Sequence, residues 1–179
     1  DYILAGDCYQ VNYAQRFEAT LQGDAWSAYR YVRTLLAGGF SGFLRTAEDH
    51  AILSLSPERF LRIHHGTVTS QPIKGTAPRH TDPEQDAALA KALLNSEKDR
   101  AENVMITDLL RNDLGQFCET GSVKVTELCG LHSFNNVHHL ISTIEGKLAP
   151  GVSAGQMLLA TSPGGSITGA PKKRAVEII

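Results

Sequence analysis

Hydrophobic positions along this chain change their spacing several times, and each change marks an element. From Tyr9 to Phe17 the pattern alternates, with Val11, Tyr13 and Gln15 on one side, which predicts a strand after the Gly6-Asp7 turn. Asp24 then offers a capping oxygen to a helix predicted over residues 25–37, which Gly38-Gly39 ends. Three short β-like runs follow at 41–45, 51–56 and 59–63, and after the His64-His65-Gly66 turn another at 67–73. Such tight spacing predicts an antiparallel meander. Residues 74–82 are polar and carry Pro78, with Pro83 just beyond, so they read as a loop. A long helical region is predicted over 83–117, where Ala101, Val104, Met105, Leu109 and Leu114 recur near a 3.6-residue period. Residues 122–125 and 138–144 are β-like, 153–160 is a short helix opened by Ser153, and 164–171 is a Gly-rich loop that leads into a last helix. Strands that meander and helices that stand apart from them make the fold class α+β, antiparallel sheets flanked by helices.

A chain of 179 residues suits one domain with a real core. Its 42% apolar and 20% charged residues are ordinary for a globular protein. A formal net charge of −2, with basic residues clustered only at Lys172-Lys173-Arg174, argues against nucleic acid as a partner. Cys8, Cys118 and Cys129 are odd in number and none forms a CxxC pair, so neither a disulfide framework nor a zinc site is expected, and a reducing cytoplasm is. No apolar run approaches the roughly 20 residues that span a bilayer, and residues 1–7 lack the pattern of a signal peptide. The chain starts without Met and stops inside an amphipathic stretch with no capping signal, so it is expected to be a piece of a longer protein.

Five places carry candidate chemistry, each with an ordinary reading beside it. In Gly164-Gly165-Ser166-Ile167-Thr168-Gly169-Ala170-Pro171-Lys172, glycines permit close approach to a ligand, and the hydroxyls and the following helix start suit an anion. The residue after Gly169 is Ala rather than Lys, so this is not a phosphate P-loop; a plain turn and helix cap is the alternative. Asp99 and Glu102, three apart on a helix, could share one hard cation; equally, Lys98 and Glu102 could form a surface i,i+4 pair. Lys74, in Pro72-Ile73-Lys74-Gly75-Thr76, could be a surface charge or a nucleophile. An ordinary lysine, with a pKa of about 10.4, is neutral only about one time in a thousand near pH 7, so a nucleophile needs burial or a neighbouring cation. His138 and His139 are adjacent on a predicted strand and face opposite ways, so at most one points into a given site, and a hydrogen-bonded core histidine is the plain alternative. Glu58, after Ser56-Pro57, is a strand-edge carboxylate or an acid.

Taken in order, six segments resemble the chorismate-utilising enzymes, among them anthranilate, aminodeoxychorismate, isochorismate and salicylate synthases. They are Gly6-Asp7-Cys8-Tyr9-Gln10-Val11-Asn12, Ser56-Pro57-Glu58-Arg59-Phe60, Pro72-Ile73-Lys74-Gly75-Thr76, Lys98-Asp99-Arg100-Ala101-Glu102-Asn103 through Asp108-Leu109-Leu110-Arg111-Asn112-Asp113, Val137-His138-His139-Leu140, and the loop from Gly165 to Lys172. The resemblance covers nearly the whole chain. It implies the N-terminal and central portion (1–179) of a single chorismate-binding, anthranilate synthase component I-like domain, with its C-terminal part and second acidic cluster missing.

The resemblance also implies roles. Mg²⁺ would bind the substrate's ring carboxylate, with Glu102 as direct ligand and Asp99 acting through water. His139 would stand near the substrate ring, Glu58 would assist departure of the C4 hydroxyl, and Gly165, Ser166, Ile167, Thr168, Gly169 and Ala170 would hold a substrate carboxylate. Most relatives carry Ala where this chain has Lys74; the Lys resembles the aminodeoxychorismate synthase branch, in which it attacks C2 of chorismate. Gln10 stands where isochorismate and salicylate synthases carry a Lys base, which argues against those activities. The implied partner is a glutamine amidotransferase that supplies ammonia. Anthranilate synthase component I is the alternative enzyme, and a non-catalytic anion-binding or regulatory module the alternative of another class. The chain alone is expected to be inactive or nearly so, and to self-associate through open sheet edges.

Overall fold

The computed structural model describes residues 1–36 and 39–179. In chain order the elements are β1 (Gln10–Val11), α1 (Ala25–Leu35), β2 (Phe40–Ala47), β3 (His50–Ser56), β4 (Arg59–His64), β5 (Thr67–Gln71), β6 (Ile73–Pro78), α2 (Pro83–Leu94), α3 (Glu97–Gly115), β7 (Lys124–Ser133), β8 (Val137–Lys147), α4 (Ala154–Thr161), α5 (Gly165–Thr168), β9 (Gly169–Ala170) and α6 (Lys172–Ile178). They fall into two compact units, one of Ala14–Arg59 and one of Asp1–Tyr13 with Phe60–Ile179.

The smaller unit is a helix and a hairpin. Asp24 caps α1 by accepting from the Ser27 amide at 2.9 Å, as its position before the helix predicts. The strands β2 and β3 pair antiparallel, and the ring of Phe43 lies 5.2 Å from Trp26 and 5.6 Å from Tyr29. The predicted helix end at Ala37 and Gly38 lies outside the described residues.

The larger unit is built on β8. Along one edge it pairs with β7; along the other it pairs end to end with β5 and β6, and β4 continues the sheet beyond β5. Pro72 separates β5 from β6 but does not break the run, because its carbonyl accepts from the Ser142 amide at 3.2 Å. The helix α3 lies on this sheet. Its inward face carries Asn103, Ile106, Thr107, Leu110, Asp113 and Leu114, and the apolar ones pack with Val68, Ile144 and Met157. Ile106 and Leu114 are fully buried, and each such side chain contributes roughly 1.5–3 kcal/mol.

Four expectations need correction. The strand predicted from Tyr9 shrinks to Gln10–Val11, held by β9, and residues 12–22 have no regular structure. The region 74–82 is not wholly a loop: β6 runs through it to Pro78, because β8 offers it a partner that no local pattern reveals. The single helical region is two helices, since Ser96 turns its side chain to the Asp99 amide and starts α3 afresh. The meander is divided, β2 and β3 in one sheet, β4 and β5 in another. Ser153, by contrast, opens α4 with a full capping box to Gln156, as read.

Candidate active site

Lys74 sits on a β-bulge. Between the pairs Ile73↔Ile141 and Thr76↔His139, three steps along β6 are matched by two along β8. The extra residue re-aims the local side chains, as bulges do. Gly75 makes this possible: it takes φ +92°, and a Cβ there would lie 2.9 Å from Cβ of Asp99 on α3. The Lys74 side chain is half-buried, and its Nζ approaches the Ser166 carbonyl at 3.4 Å.

The Gly-rich loop receives it. The loop holds the one-turn helix α5 and the short strand β9, which pairs with β1. Gly169 has φ +146°, and a Cβ there would lie 2.1 Å from the Gln10 carbonyl, so the close approach it permits is to the chain's own β1. Thr168, expected as a donor to ligand, spends its hydroxyl on the Gly164 carbonyl at 3.0 Å. The Ser166 carbonyl also accepts from Asn12 Nδ2 at 2.8 Å, and Asn12 Oδ1 accepts from Gln10 Nε2 at 3.3 Å. Gln10 Oε1 is buried with no hydrogen-bond partner among the described residues. Lys74, Gln10, Asn12 and Ser166 thus form one polar cluster. It contains an amine, two amides and an open acceptor.

The two histidines separate as alternation requires. His138 is 3% exposed and enclosed: Nε2 lies 3.0 Å from Asp86 Oδ1 and Nδ1 2.7 Å from Ser133 Oγ. Arg79, the His80 amide and His138 hold the Asp86 carboxyl far below the usual carboxylate range. His139 is half-buried on the other face, its Nδ1 2.9 Å from Thr76 Oγ1 and its ring beside Phe134. Burial holds its pKa below the ordinary imidazole value, opposed by the backbone of Gly75 at the bulge.

On α3, Asp99 accepts from the Ser96 hydroxyl and lies against Gly75, while Glu102 is 3.9 Å from Lys98, the ordinary i,i+4 pair. Both carboxylates are hard oxygen donors three residues apart on α3, and Asp99 is the one shown against the bulge. Among the described residues no three His, Cys, Asp or Glu side chains converge on a metal-sized point. One turn from the far end of α3, Asp113 meets Lys172, which also donates to the Thr161 carbonyl at 2.9 Å. Burial pushes the Asp113 carboxyl up while Lys172 pulls it down. Lys172 therefore fastens α6 to α3 rather than facing a ligand. Glu58 belongs to the smaller unit, in the turn between β3 and β4, where its amide and carbonyl bond to the Ser56 hydroxyl at 3.1 Å.

Residues 1–179 match the family described as chorismate binding enzyme along the entire chain. The chain belongs to that family. Among curated proteins, aminodeoxychorismate synthase component 1 of Klebsiella aerogenes is 54% identical over 178 residues, which cover 99% of this chain and 39% of that protein. Anthranilate synthase component 1 of Pseudomonas aeruginosa is 42% identical over 179 residues, 36% of its length. Among solved structures, anthranilate synthase component I of Streptococcus pneumoniae superposes with a TM-score of 0.84 at 38% identity, covering 97% of this chain and 38% of that one. The chain thus spans less than two fifths of the length of either of these curated relatives. No helix among the described residues is long and apolar enough to cross a membrane.

For a chorismate-binding enzyme, the cluster around Lys74 joins three of the quoted segments, from β1, the β6 bulge and the Gly-rich loop. Sequence reasoning missed Asn103, which is fully buried and bonds to the bulge carbonyls. Its signal was available: an amide among Ile106, Leu110 and Leu114 on the core face of a helix.

Proposed function

We propose that this chain is part of the catalytic domain of an aminodeoxychorismate synthase, which converts chorismate and ammonia to 4-amino-4-deoxychorismate for p-aminobenzoate and folate. The observation that carries the reading is Lys74, half-buried on its bulge with its amine turned to the Gly-rich loop. The 54% identity to aminodeoxychorismate synthase component 1, against 42% to anthranilate synthase component 1, supports the same branch.

The neutral Lys74 amine would attack C2 of chorismate, both ring double bonds would shift (C1=C2 to C1=C6 and C5=C6 to C4=C5), and the C4 hydroxyl would leave as water with a proton from Glu58. Ammonia would then add at C4. Both double bonds would return and expel the Lys74 amine, and the surplus proton of the new ammonium would restore Glu58. The net exchange is one ammonia in and one water out. A hydroxide-like leaving group makes the acid necessary, and the lysine adduct divides one hard displacement into two easier ones. His139, kept neutral by burial, would stand by the ring as hydrogen-bond partner. The loop from Gly165 through Ser166, Ile167, Thr168, Gly169 and Ala170 would hold a substrate carboxylate through its backbone. Glu102, and Asp99 through water, would hold Mg²⁺, whose charge would neutralise the ring carboxylate.

Ammonia would come from a glutamine amidotransferase subunit or domain. Three free buried cysteines suit a reducing cytoplasm. With two carboxylates for the metal, the 179-residue chain alone would turn over chorismate slowly or not at all. Exposed Tyr13 and Phe17 and the open edge at β7 would favour self-association, read as a dimer or larger species in sedimentation.

The test uses the full-length protein that contains this chain, with chorismate, Mg²⁺ and ammonia. Quenched in turnover, Lys74 should carry the mass of dehydrated chorismate, and Lys74→Ala should lose both the adduct and the amination. Turnover with no mass gained at Lys74 overturns the covalent route. Anthranilate, with its amine ortho to the carboxylate, would assign the protein to the branch that the 42% relative represents.

A further inference from the structure

A buried amide holds the bulge that carries Lys74. Asn103 is fully buried, and both halves of its side chain are occupied. Nδ2 donates to the Leu140 carbonyl at 3.0 Å and to the Lys74 carbonyl at 3.5 Å, which lie on opposite strands of the bulge. Oδ1 accepts from Thr107 Oγ1 at 3.2 Å and from the Ser142 hydroxyl. Two donors and two acceptors are the full capacity of an amide. A bulge costs the strands a ladder bond, and the freed carbonyls need a donor away from water. Asn103 supplies it from the helix.

The same node reaches a second irregularity. Ser142 Oγ also accepts from the Cys129 amide at 2.9 Å. Cys129 has φ +53° and lies where β7 slips register between Glu127 and Gly130. Asn103 and Ser142 therefore tie the distortions on both edges of β8 to one point of α3. One turn earlier on α3, Asp99 abuts Gly75. The helix meets the bulge at both of its residues, and it carries Glu102 between those contacts.

We infer that Asn103 is a positioning residue: through the Lys74 and Leu140 carbonyls it fixes the bulge that points the Lys74 amine at the Ser166 carbonyl. It touches no reacting atom. The inference rests on the proposed function only for its consequence in catalysis; the placement of Lys74 can be read without substrate.

The measurement is site-resolved acylation of lysines in this chain by a small activated ester, followed by peptide mass spectrometry. Lys91, Lys124 and Lys147 serve as internal references. Asn103→Asp keeps both acceptors and loses both donors; Asn103→Leu loses all four; Thr107→Val loses only the bond on the acceptor side. Acylation of Lys74 should rise about fivefold in Asn103→Asp and Asn103→Leu, the equivalent of about one hydrogen bond, with the reference lysines unchanged. Thr107→Val should leave Lys74 as in the parent. If Asn103→Leu does not fold, Asn103→Asp and Ser142→Ala decide. Folded Asn103→Asp with unchanged Lys74, or an equal rise in Thr107→Val, overturns the inference. In the full-length enzyme, kcat should fall in Asn103→Asp with KM unchanged. An altered acylation pattern with unaltered amination would keep the positioning and sink the catalytic reading.

Discussion

His138 and His139 are neighbours on β8, yet they live in different chemical worlds. His138 faces α2, 3% exposed, with Asp86 and Ser133 on its two nitrogens. His139 faces the other way, half-buried, with Thr76 on one nitrogen and the Lys74 bulge at its side. The same contrast repeats along α3, where Asp113 is closed in an ion pair with Lys172, while Asp99 lies against the bulge and Glu102 is a third exposed. Polar groups whose hydrogen-bond capacity is filled by the protein hold the fold. Those with capacity left over are the ones a ligand can use.

The largest expected effect tests the closed side. Lys172→Met leaves the Asp113 carboxylate buried without its cation, and should lower unfolding free energy by about 3–5 kcal/mol at pH 7. Burial already lifts the Asp113 carboxyl above its ordinary 3.8, and losing Lys172 lifts it further. An acid whose folded value is raised costs stability when ionised. The deficit is therefore complete above the folded value and shrinks as pH falls toward 4. Urea midpoints at pH 7 and pH 5 check the sign; a deficit that grows on acidification would contradict it. Asp113→Leu combined with Lys172→Met should recover most of the loss, because an apolar pair needs no solvation.

Next in size is the histidine pair itself. His138→Phe should cost about 1–3 kcal/mol, since Asp86 and Ser133 lose a buried partner. His139→Phe should change stability by less than about 0.5 kcal/mol and abolish most amination in the full-length enzyme. Thermal melts of both variants check the first half, product assays the second. Equal destabilisation by both would erase the distinction between closed and open faces.

How far these faces were legible depends on the range of the signal. Caps are local, so Asp24 and Ser153 announced α1 and α4 correctly. Alternation is local too, and it is enough to separate His138 from His139. The bulge at Lys74 and Gly75 is not local: it exists because β8, more than sixty residues on, pairs with β6 out of step. Polar Lys74, Thr76 and Pro78 looked like a loop for that reason. Asn103 escaped notice because its partners Leu140 and Ser142 lie 37 and 39 residues further along the chain, beyond any local pattern. The Gly-rich loop was located well but explained incompletely, since Gly169 serves β1 and Thr168 serves Gly164.

The smallest effect probes the open end of α3. Lys98 is 82% exposed and Glu102 34%, and their 3.9 Å contact is of the kind that solvent screens. Lys98→Ala and Glu102→Gln should each move stability by no more than about 0.5 kcal/mol. They should part company in function. If Glu102 is a metal ligand, Glu102→Gln should raise the Mg²⁺ concentration needed for amination by the full-length enzyme, because a neutral amide oxygen is a poorer donor to a hard cation. Lys98→Ala should leave that requirement unchanged or lower it, since it removes a competing positive charge. Magnesium titrations of initial rate in both variants decide the matter. Parallel behaviour of the two would mean that the carboxylate belongs to the surface pair alone, and the helix would then offer the metal only Asp99.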